Sequence, residues 1–258
     1  MNSSKTKQSN MQAMIFAAGL GTRLKPYTNT MPKAMVPLCG KPLLWHAINK
    51  LKSTGITHII INVHHFADQI INYLKENNNF DITIKISDET NMLLDTGGGL
   101  KYAEKLFIPN TPILVYNVDI LSDINLNKLK QHHLESENLA TLVTASRNTS
   151  RYLLFNNSKL IGWTNKNTNQ FKWCNHSYQL YTEMAFAGIQ IVNPEFINLI
   201  EPNKKVSIID EYLRIGANNK IGLYNNDGKI WMDLGKPEQL KMAEEFILSN
   251  TTSQKNPK

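Results

Sequence analysis

Met11-Gln-Ala-Met-Ile-Phe-Ala-Ala-Gly-Leu-Gly-Thr-Arg-Leu-Lys-Pro-Tyr-Thr-Asn-Thr-Met-Pro-Lys33 joins a short apolar run to a long segment rich in glycine, proline and basic residues. The run from Met11 to Ala18, ended by Gly19, has the length and continuity of a strand buried on both faces, as parallel strands are. The next periodic segment begins only after Pro42, so a long loop follows that strand. Leu44, Ala47, Ile48 and Leu51 then recur at helical spacing, Gly55 stops the helix, and Ile59 to Val63 makes a second apolar run. Strand, enlarged loop, helix and strand form a βαβ unit.

The same alternation continues outward. Ala67, Ile70, Ile71 and Leu74 predict a helix, Ile82 to Ile86 a strand, Leu100 and Ala103 a helix, and Pro112 to Asn117 a strand. A helix around Leu126 and Leu129 and a strand at Leu139 to Ala145 follow. Strands alternating with helices of this length predict an α/β fold, a Rossmann-like three-layer sandwich with a mostly parallel mixed sheet that binds ligands beyond the carboxyl ends of its strands. From Tyr152 to Trp173 short polar-apolar segments with Asn-rich turns predict a small antiparallel insertion. Met184 to Val192 reads as a strand, Ser207 to Gly216 as a helix, Lys229 to Met232 as a strand and Pro237 to Leu248 as a closing helix. One domain is expected over residues 11–248, between polar tails at 1–10 and 249–258 that are expected to be disordered.

Composition narrows the function. The chain of 258 residues is long enough to bury a core without disulfides or structural metals. Cys39 and Cys174 are its only cysteines and share no metal-type spacing, so both read as reduced and structural. No signal peptide or apolar run of membrane-spanning length is legible, which predicts a cytoplasmic protein with no membrane partner. The formal charge is +7, but Lys5, Lys7, Lys255 and Lys258 lie in the two acid-free tails and leave only +3 for residues 11–248. No basic stripe interleaved with aromatics is present, so small anionic substrates fit better than a nucleic acid. Oligomeric state is not legible.

Gly19-x-Gly21 invites two assignments that fail on residues. A dinucleotide fingerprint needs a third glycine where this chain has Leu24, and a P-loop needs Gly-Lys-Ser/Thr at the start of a helix. What stands here is two glycines that let a backbone approach a ligand, then Thr22, Arg23 and Lys25, then Pro26 and Pro32 as stiffeners, then Lys33. That combination suits a polyphosphate: amides cradle oxygens, an arginine fork grips two of them, and a lysine sets a compact charge where negative charge builds up. The full spacing through Pro32-Lys33 resembles the signature of the sugar-1-phosphate nucleotidyltransferases. The resemblance implies nucleotide contacts for Ala18, Gly19, Gly21 and Thr22, a grip on departing pyrophosphate for Arg23, and contact with the reacting phosphate for Lys33.

Nucleotidyl transfer needs charge neutralised on triphosphate oxygens, and Mg2+ does this while held by one or two protein carboxylates. Asp119 in Tyr116-Asn-Val-Asp-Ile120 and Asp233 in Trp231-Met-Asp-Leu-Gly235 follow strands, and the resemblance makes them the metal aspartates. Val118 stands where the family usually has glycine and is expected to narrow the approach to the metal or to alter the backbone there. Leu94-Asp-Thr-Gly-Gly-Gly-Leu100 is expected to precede a helix with its amides facing a ligand, and the resemblance places Gly97 and Gly98 against the nucleotide base.

With Phe186-Ala-Gly-Ile189 and Ser207-Ile-Ile-Asp210, these motifs resemble most the short bacterial branch that acts on N-acetylmuramate, mannose or heptose 1-phosphate. A sugar-facing insertion is expected at about 147–183, with Gly188 and Arg151 as sugar contacts; Arg147 and Arg151 suit an acidic sugar. His64, His65 and the tryptophans read as loop and packing residues, with Trp163 and Trp173 the ones suited to stacking. Two rivals remain at this point, a cytidylyltransferase acting on a non-sugar phosphate such as phosphocholine, and a non-catalytic subunit that binds a nucleotide-sugar.

Overall fold

The structure is a computed structural model that describes residues 11–254; the expected tail at 1–10 and residues 255–258 lie outside the described residues. The first strand, β1 (Gln12–Phe16), is buried at every position. The loop after it folds into three single turns of 3-10 helix that bury Leu24, Thr28 and Ala34, then a hairpin of two-residue strands, β2 (Pro37–Leu38) and β3 (Lys41–Pro42). It leads into α1 (Leu43–Lys52), β4 (His58–Val63), α2 (Ala67–Glu76) and β5 (Thr83–Asp88).

The next helix, α3 (Asp95–Tyr102), starts five residues before Leu100, so Gly97, Gly98 and Gly99 lie inside it rather than ahead of it. Glycine disfavours a helix, and what overrides that propensity is packing. A methyl on Gly98 would lie 2.2 Å from the Lys204 carbonyl oxygen, so only glycine lets the 204–208 segment cross here. After α3 come β6 (Ile113–Asn117), β7 (Ile120–Ser122), α4 (Leu126–Glu135) and β8 (Ala140–Ala145). The antiparallel segment contains β9 (Arg151–Asn156), β10 (Lys159–Asn165) and β11 (Gln170–Trp173). The chain returns through β12 (Thr182–Val192), α5 (Pro194–Asn198), α6 (Ile208–Gly216), β13 (Ile221–Asn225), β14 (Trp231–Asp233) and α7 (Pro237–Gln254). The closing helix runs past the Leu248 boundary expected from its apolar spacing.

Ten strands share one mixed sheet in the order β11-β10-β13-β8-β12-β6-β1-β4-β5, with β9 beside β10 and β12. Strands β6, β1, β4 and β5 are mutually parallel, and β13 is parallel to β8. The antiparallel insertion extends this sheet rather than forming a separate lobe, because long β12 pairs with β9 at its start and with β8 and β6 further on.

Side chains alternate across the sheet, as a period of two requires. Ala13, Ile15, Ile59 and Ile61 enter one core beneath α1, α2, α4 and α7, while Met14, Phe16 and Ile60 enter the other beneath α3, α5 and α6. This is the expected three-layer sandwich. The loops after β1, β4, β5, β6 and β8 all leave the same edge, which is where a ligand site belongs in such a sheet.

Candidate active site

At that edge the chain turns sharply out of β1, and a buried polar relay fixes the turn. The amides of Ala17 and Ala18 donate to Asn62 Oδ1 at 2.8 and 3.4 Å, and Asn62 Nδ2 donates to Glu89 Oε1 at 2.8 Å. Glu89 Oε2 accepts from the Leu94 amide at 3.2 Å. Burial pushes the Glu89 carboxyl upward, and its hydrogen bonds to Asn62 and Leu94 act against that shift. A methyl on Gly99 would lie 2.6 Å from Glu89 Oε1, so the third glycine of the triplet makes room for this carboxylate. Asn62, Glu89 and Gly99 carry no role in the sequence reading. The available signal was an asparagine inside the otherwise apolar Ile59-Ile-Ile-Asn-Val63.

Beyond the relay lies a pocket of about 300 Å³ bounded by Phe16, Ala18, Gly19, Lys33, Asp95 and Asn117 among others. Ala18 and Gly19 both face this pocket, and a methyl on Gly19 would come 3.7 Å from Lys33 Nζ. Gly21 acts differently. Its φ is +62°, its carbonyl accepts from the Leu24 amide at 2.8 Å and Thr28 Oγ1 at 2.9 Å, and a methyl there would strike Thr28 Cγ2 at 2.8 Å. Gly21 shapes the loop, while exposed Thr22 begins the short turn Thr22–Leu24 and does not line the pocket.

Gly97 and Gly98 depart from expectation. Both amides donate to the Val206 carbonyl, at 2.9 and 3.2 Å, and neither residue lines the pocket. Their first-turn N–H groups, which a helix leaves open, are satisfied by the crossing segment and are not offered to a ligand. Asp95 and Thr96 line the pocket in their place.

The two aspartates come together. Strands β7 and β14 pair antiparallel with Asp233 opposite Ile120, and the Leu234 amide donates to the Asp119 carbonyl at 2.8 Å. Asp119 Oδ2 is 2.9 Å from Lys33 Nζ, with both side chains largely buried, and Asp233 Oδ2 is 3.7 Å from Arg23 Nη2. Gly235 serves the second pair: its amide donates to Asp233 Oδ1 at 2.8 Å, and a methyl on it would lie 2.7 Å from Arg23 Nη2. Among the described residues no group of three or more His, Cys, Asp or Glu could hold a metal. Two aspartates on neighbouring backbone, each facing a cation, nevertheless suit Mg2+, which takes oxygen donors and commonly needs only one or two from the protein. Val118 does not crowd them; its side chain is buried in the core on the α1 side of the sheet.

A second, larger cleft of about 650 Å³ opens on the other side of Asn117, which borders both spaces. Arg23, Arg147, Arg151, Gly188, Trp163 and Asp233 are among its walls. Gly188 sits at φ +71° in the irregular stretch of β12, where a methyl would meet Asn117 Nδ2 at 2.8 Å. Trp163 reaches the cleft; Trp173 does not, since it lies against Gly162 and stacks on Phe171. Ala187 is buried and turned into the core. The geometry thus offers two spaces separated by Asn117, with Lys33, Asp119, Arg23 and Asp233 among their walls and ion pairs.

A family model described as Nucleotidyl transferase matches residues 12–250. The chain is 32% identical over 256 residues to a mannose-1-phosphate guanyltransferase of Debaryomyces hansenii, covering 96% of this chain and 67% of that one. It spans about two thirds of the length of such fungal relatives. It is 30% identical over 243 residues to an N-acetylmuramate alpha-1-phosphate uridylyltransferase of Caulobacter vibrioides, covering 92% of this chain and 96% of that one. Among solved structures, HddC of Yersinia pseudotuberculosis complexed with GMP-PN superposes with a TM-score of 0.73 at 23% identity, over 92% of this chain and 99% of that one. A UDP-glucose pyrophosphorylase from Acinetobacter baumanii gives 0.73 at 16% identity, over 91% and 92%. These two likenesses establish the fold.

Proposed function

The chain belongs to the nucleotidyl transferase family, and from that premise we propose that it transfers a nucleotidyl group from a nucleoside triphosphate to a sugar 1-phosphate, releasing pyrophosphate. The observation that carries this reading is the placement of the Lys33–Asp119 and Arg23–Asp233 pairs beside two spaces, one the size of a nucleotide head and one open to a second substrate. The nucleoside occupies the smaller pocket against Ala18 and Gly19. The sugar phosphate enters the larger cleft, with Gly188 and Arg151 at the sugar. Lys33 stabilises charge that builds on the α-phosphate as the sugar phosphate oxygen attacks in line, and Arg23 steadies the leaving pyrophosphate. No general base is required, because that oxygen is already anionic at neutral pH. Asp119 and Asp233 are the residues that would hold Mg2+, which supplies further neutralisation of triphosphate charge when bound.

Among the described residues no helix is long and apolar enough to cross a membrane, in keeping with small-molecule substrates. The names of the relatives favour mannose or N-acetylmuramate 1-phosphate as the sugar, with heptose 1-phosphate resting on the motif resemblance alone, ahead of phosphocholine or a non-catalytic role. The test is a matrix of single nucleoside triphosphates against these sugar phosphates and phosphocholine with Mg2+, read as pyrophosphate release. Turnover with one sugar phosphate is expected. Turnover with phosphocholine alone, or tight binding without pyrophosphate at any metal concentration, would refute the reading.

A further inference from the structure

Arg147 and Trp231 have no part in the transfer as described, yet they are built together with care. The loop after β8 is pinned where it begins: the Ser146 amide and hydroxyl donate to the two oxygens of Asp227 at 2.5 and 2.9 Å. The next side chain, Arg147, lays its guanidinium over the Trp231 ring, 3.8 Å from the ring centre, and Nη2 donates to the Phe186 carbonyl at 2.8 Å. Trp231 is itself held, by its Nε1 donating to the Ala187 carbonyl at 2.8 Å and by pairing with Ser122 across β7 and β14. The cation is therefore fixed in place before any ligand arrives, and a rigid guanidinium loses little entropy on binding an anion.

It is also under-used. Arg147 Nε is buried with no hydrogen-bond partner, and Nη2 meets a neutral carbonyl rather than an acid. The cleft it faces carries three guanidinium groups, Arg23, Arg147 and Arg151, against one carboxylate, Asp233, which already pairs with Arg23. Arg147 lies over Trp231, which stands two residues before Asp233 on β14, so it sits at the Asp233 end of the cleft. Exposed Arg151, on β9, is left for the sugar. An excess of fixed positive charge beside the reacting groups calls for an anion there.

We propose that Arg147 is a substrate-contacting residue that receives the phosphate of the sugar 1-phosphate, and that Trp231 is the positioning residue that holds Arg147 in place. The assignment rests on the nucleotidyl transfer proposed above. It gives the Trp231-Met-Asp-Leu-Gly235 element a second duty: one strand carries both the candidate metal ligand Asp233 and the platform for the cation that aligns the nucleophile.

The test measures the KM for sugar phosphate and for triphosphate separately in Arg147→Gln, Arg147→Ala, Trp231→Phe and Trp231→Leu. Loss of one charge-assisted contact should raise the sugar phosphate KM of Arg147→Gln about ten- to a hundredfold, with the triphosphate KM within about twofold of wild type. Trp231→Phe keeps the aromatic face but loses the Nε1 bond to Ala187, so it should raise the sugar phosphate KM by less than Trp231→Leu, which should follow Arg147→Gln. Free guanidinium should lower the raised KM of Arg147→Ala and leave the wild type unchanged, which a purely structural role would not produce. Unchanged sugar phosphate KM in Arg147→Gln, equal changes for both substrates, or an increase confined to sugars bearing a carboxylate would each overturn the assignment. Wild-type turnover is the control: its absence removes the transfer itself, and with it this assignment, while turnover with unaltered variants removes the assignment alone.

Discussion

Lys33 and Asp119 meet at 2.9 Å with little exposure to solvent, so neither charge can be removed without leaving the other poorly compensated. Lys33→Met is expected to lower turnover by about a hundred- to a thousandfold, the size of effect seen when a group that stabilises transition-state charge is lost. Steady-state kinetics check this, with a thermal melt to show that the variant folds. Far from the cleft, His133 on α4 is buried, with Nε2 3.0 Å from Asn193 Oδ1 and Nδ1 2.8 Å from Thr141 Oγ1. Asn193 Oδ1 can only accept, so Nε2 carries a proton, and the neutral ring that burial favours takes the Thr141 hydroxyl proton at Nδ1. Burial holds the imidazole below its ordinary value, with the neighbouring His132 charge adding to the shift and the Asn193 hydrogen bond opposing it. The unfolded chain then takes up this proton first, so stability is intact above about pH 6.5 and falls as pH drops below it. In His133→Gln the melting temperature should decline less steeply between about pH 6.5 and 5.5 than in the wild type.

At the scale of elements, α3 inverts an ordinary rule. Replacing a glycine inside a helix by alanine usually stabilises by about 1 kcal/mol. Gly98 should do the opposite, because the added methyl meets the Lys204 carbonyl oxygen at 2.2 Å, a backbone atom that cannot swing aside as a flexible side chain could. Gly98→Ala is expected to lower the melting temperature and to raise the triphosphate KM, since the displaced 204–208 segment carries Lys205 at the pocket wall. A melting temperature at or above wild type would show that the crossing segment yields freely. Strand β14 is equally dependent on distant partners: three residues long, it exists through β7 and thereby brings Asp233 to Asp119.

At the scale of the whole molecule, the parallel half of the sheet could be read from the sequence because β1, β4 and β6 are apolar runs whose character is local. Strand β7, only three residues long, and β13, which is interrupted by Gly222 and defined by pairing with β8 across a long stretch of chain, were not legible. The site divides in the same way. The motif resemblance pointed to Arg23, Lys33, Asp119 and Asp233, whereas the relay from Glu89 through Asn62 to Ala17 and Ala18 depends on groups 27 and 45 positions apart. The amide bonds of Gly97 and Gly98 to Val206, and the close crossing at Gly98, were likewise not legible, because they depend on a segment about 110 positions away. Gathering all four charged groups around two spaces also predicts a metal requirement. Chelation should abolish turnover reversibly, Mg2+ should restore it, and the fold by circular dichroism should be unchanged, because the Lys33 and Arg23 pairs keep both carboxylates compensated without metal.

The most direct measurement follows the phosphorus spectrum of the wild-type protein mixed with Mg2+, the productive triphosphate and its sugar 1-phosphate. The signal of the sugar phosphate should be replaced by a nucleoside diphosphate-sugar, with pyrophosphate formed in equal amount. Release of inorganic phosphate, or a triphosphate consumed while the sugar phosphate stays untouched, would contradict nucleotidyl transfer at this site.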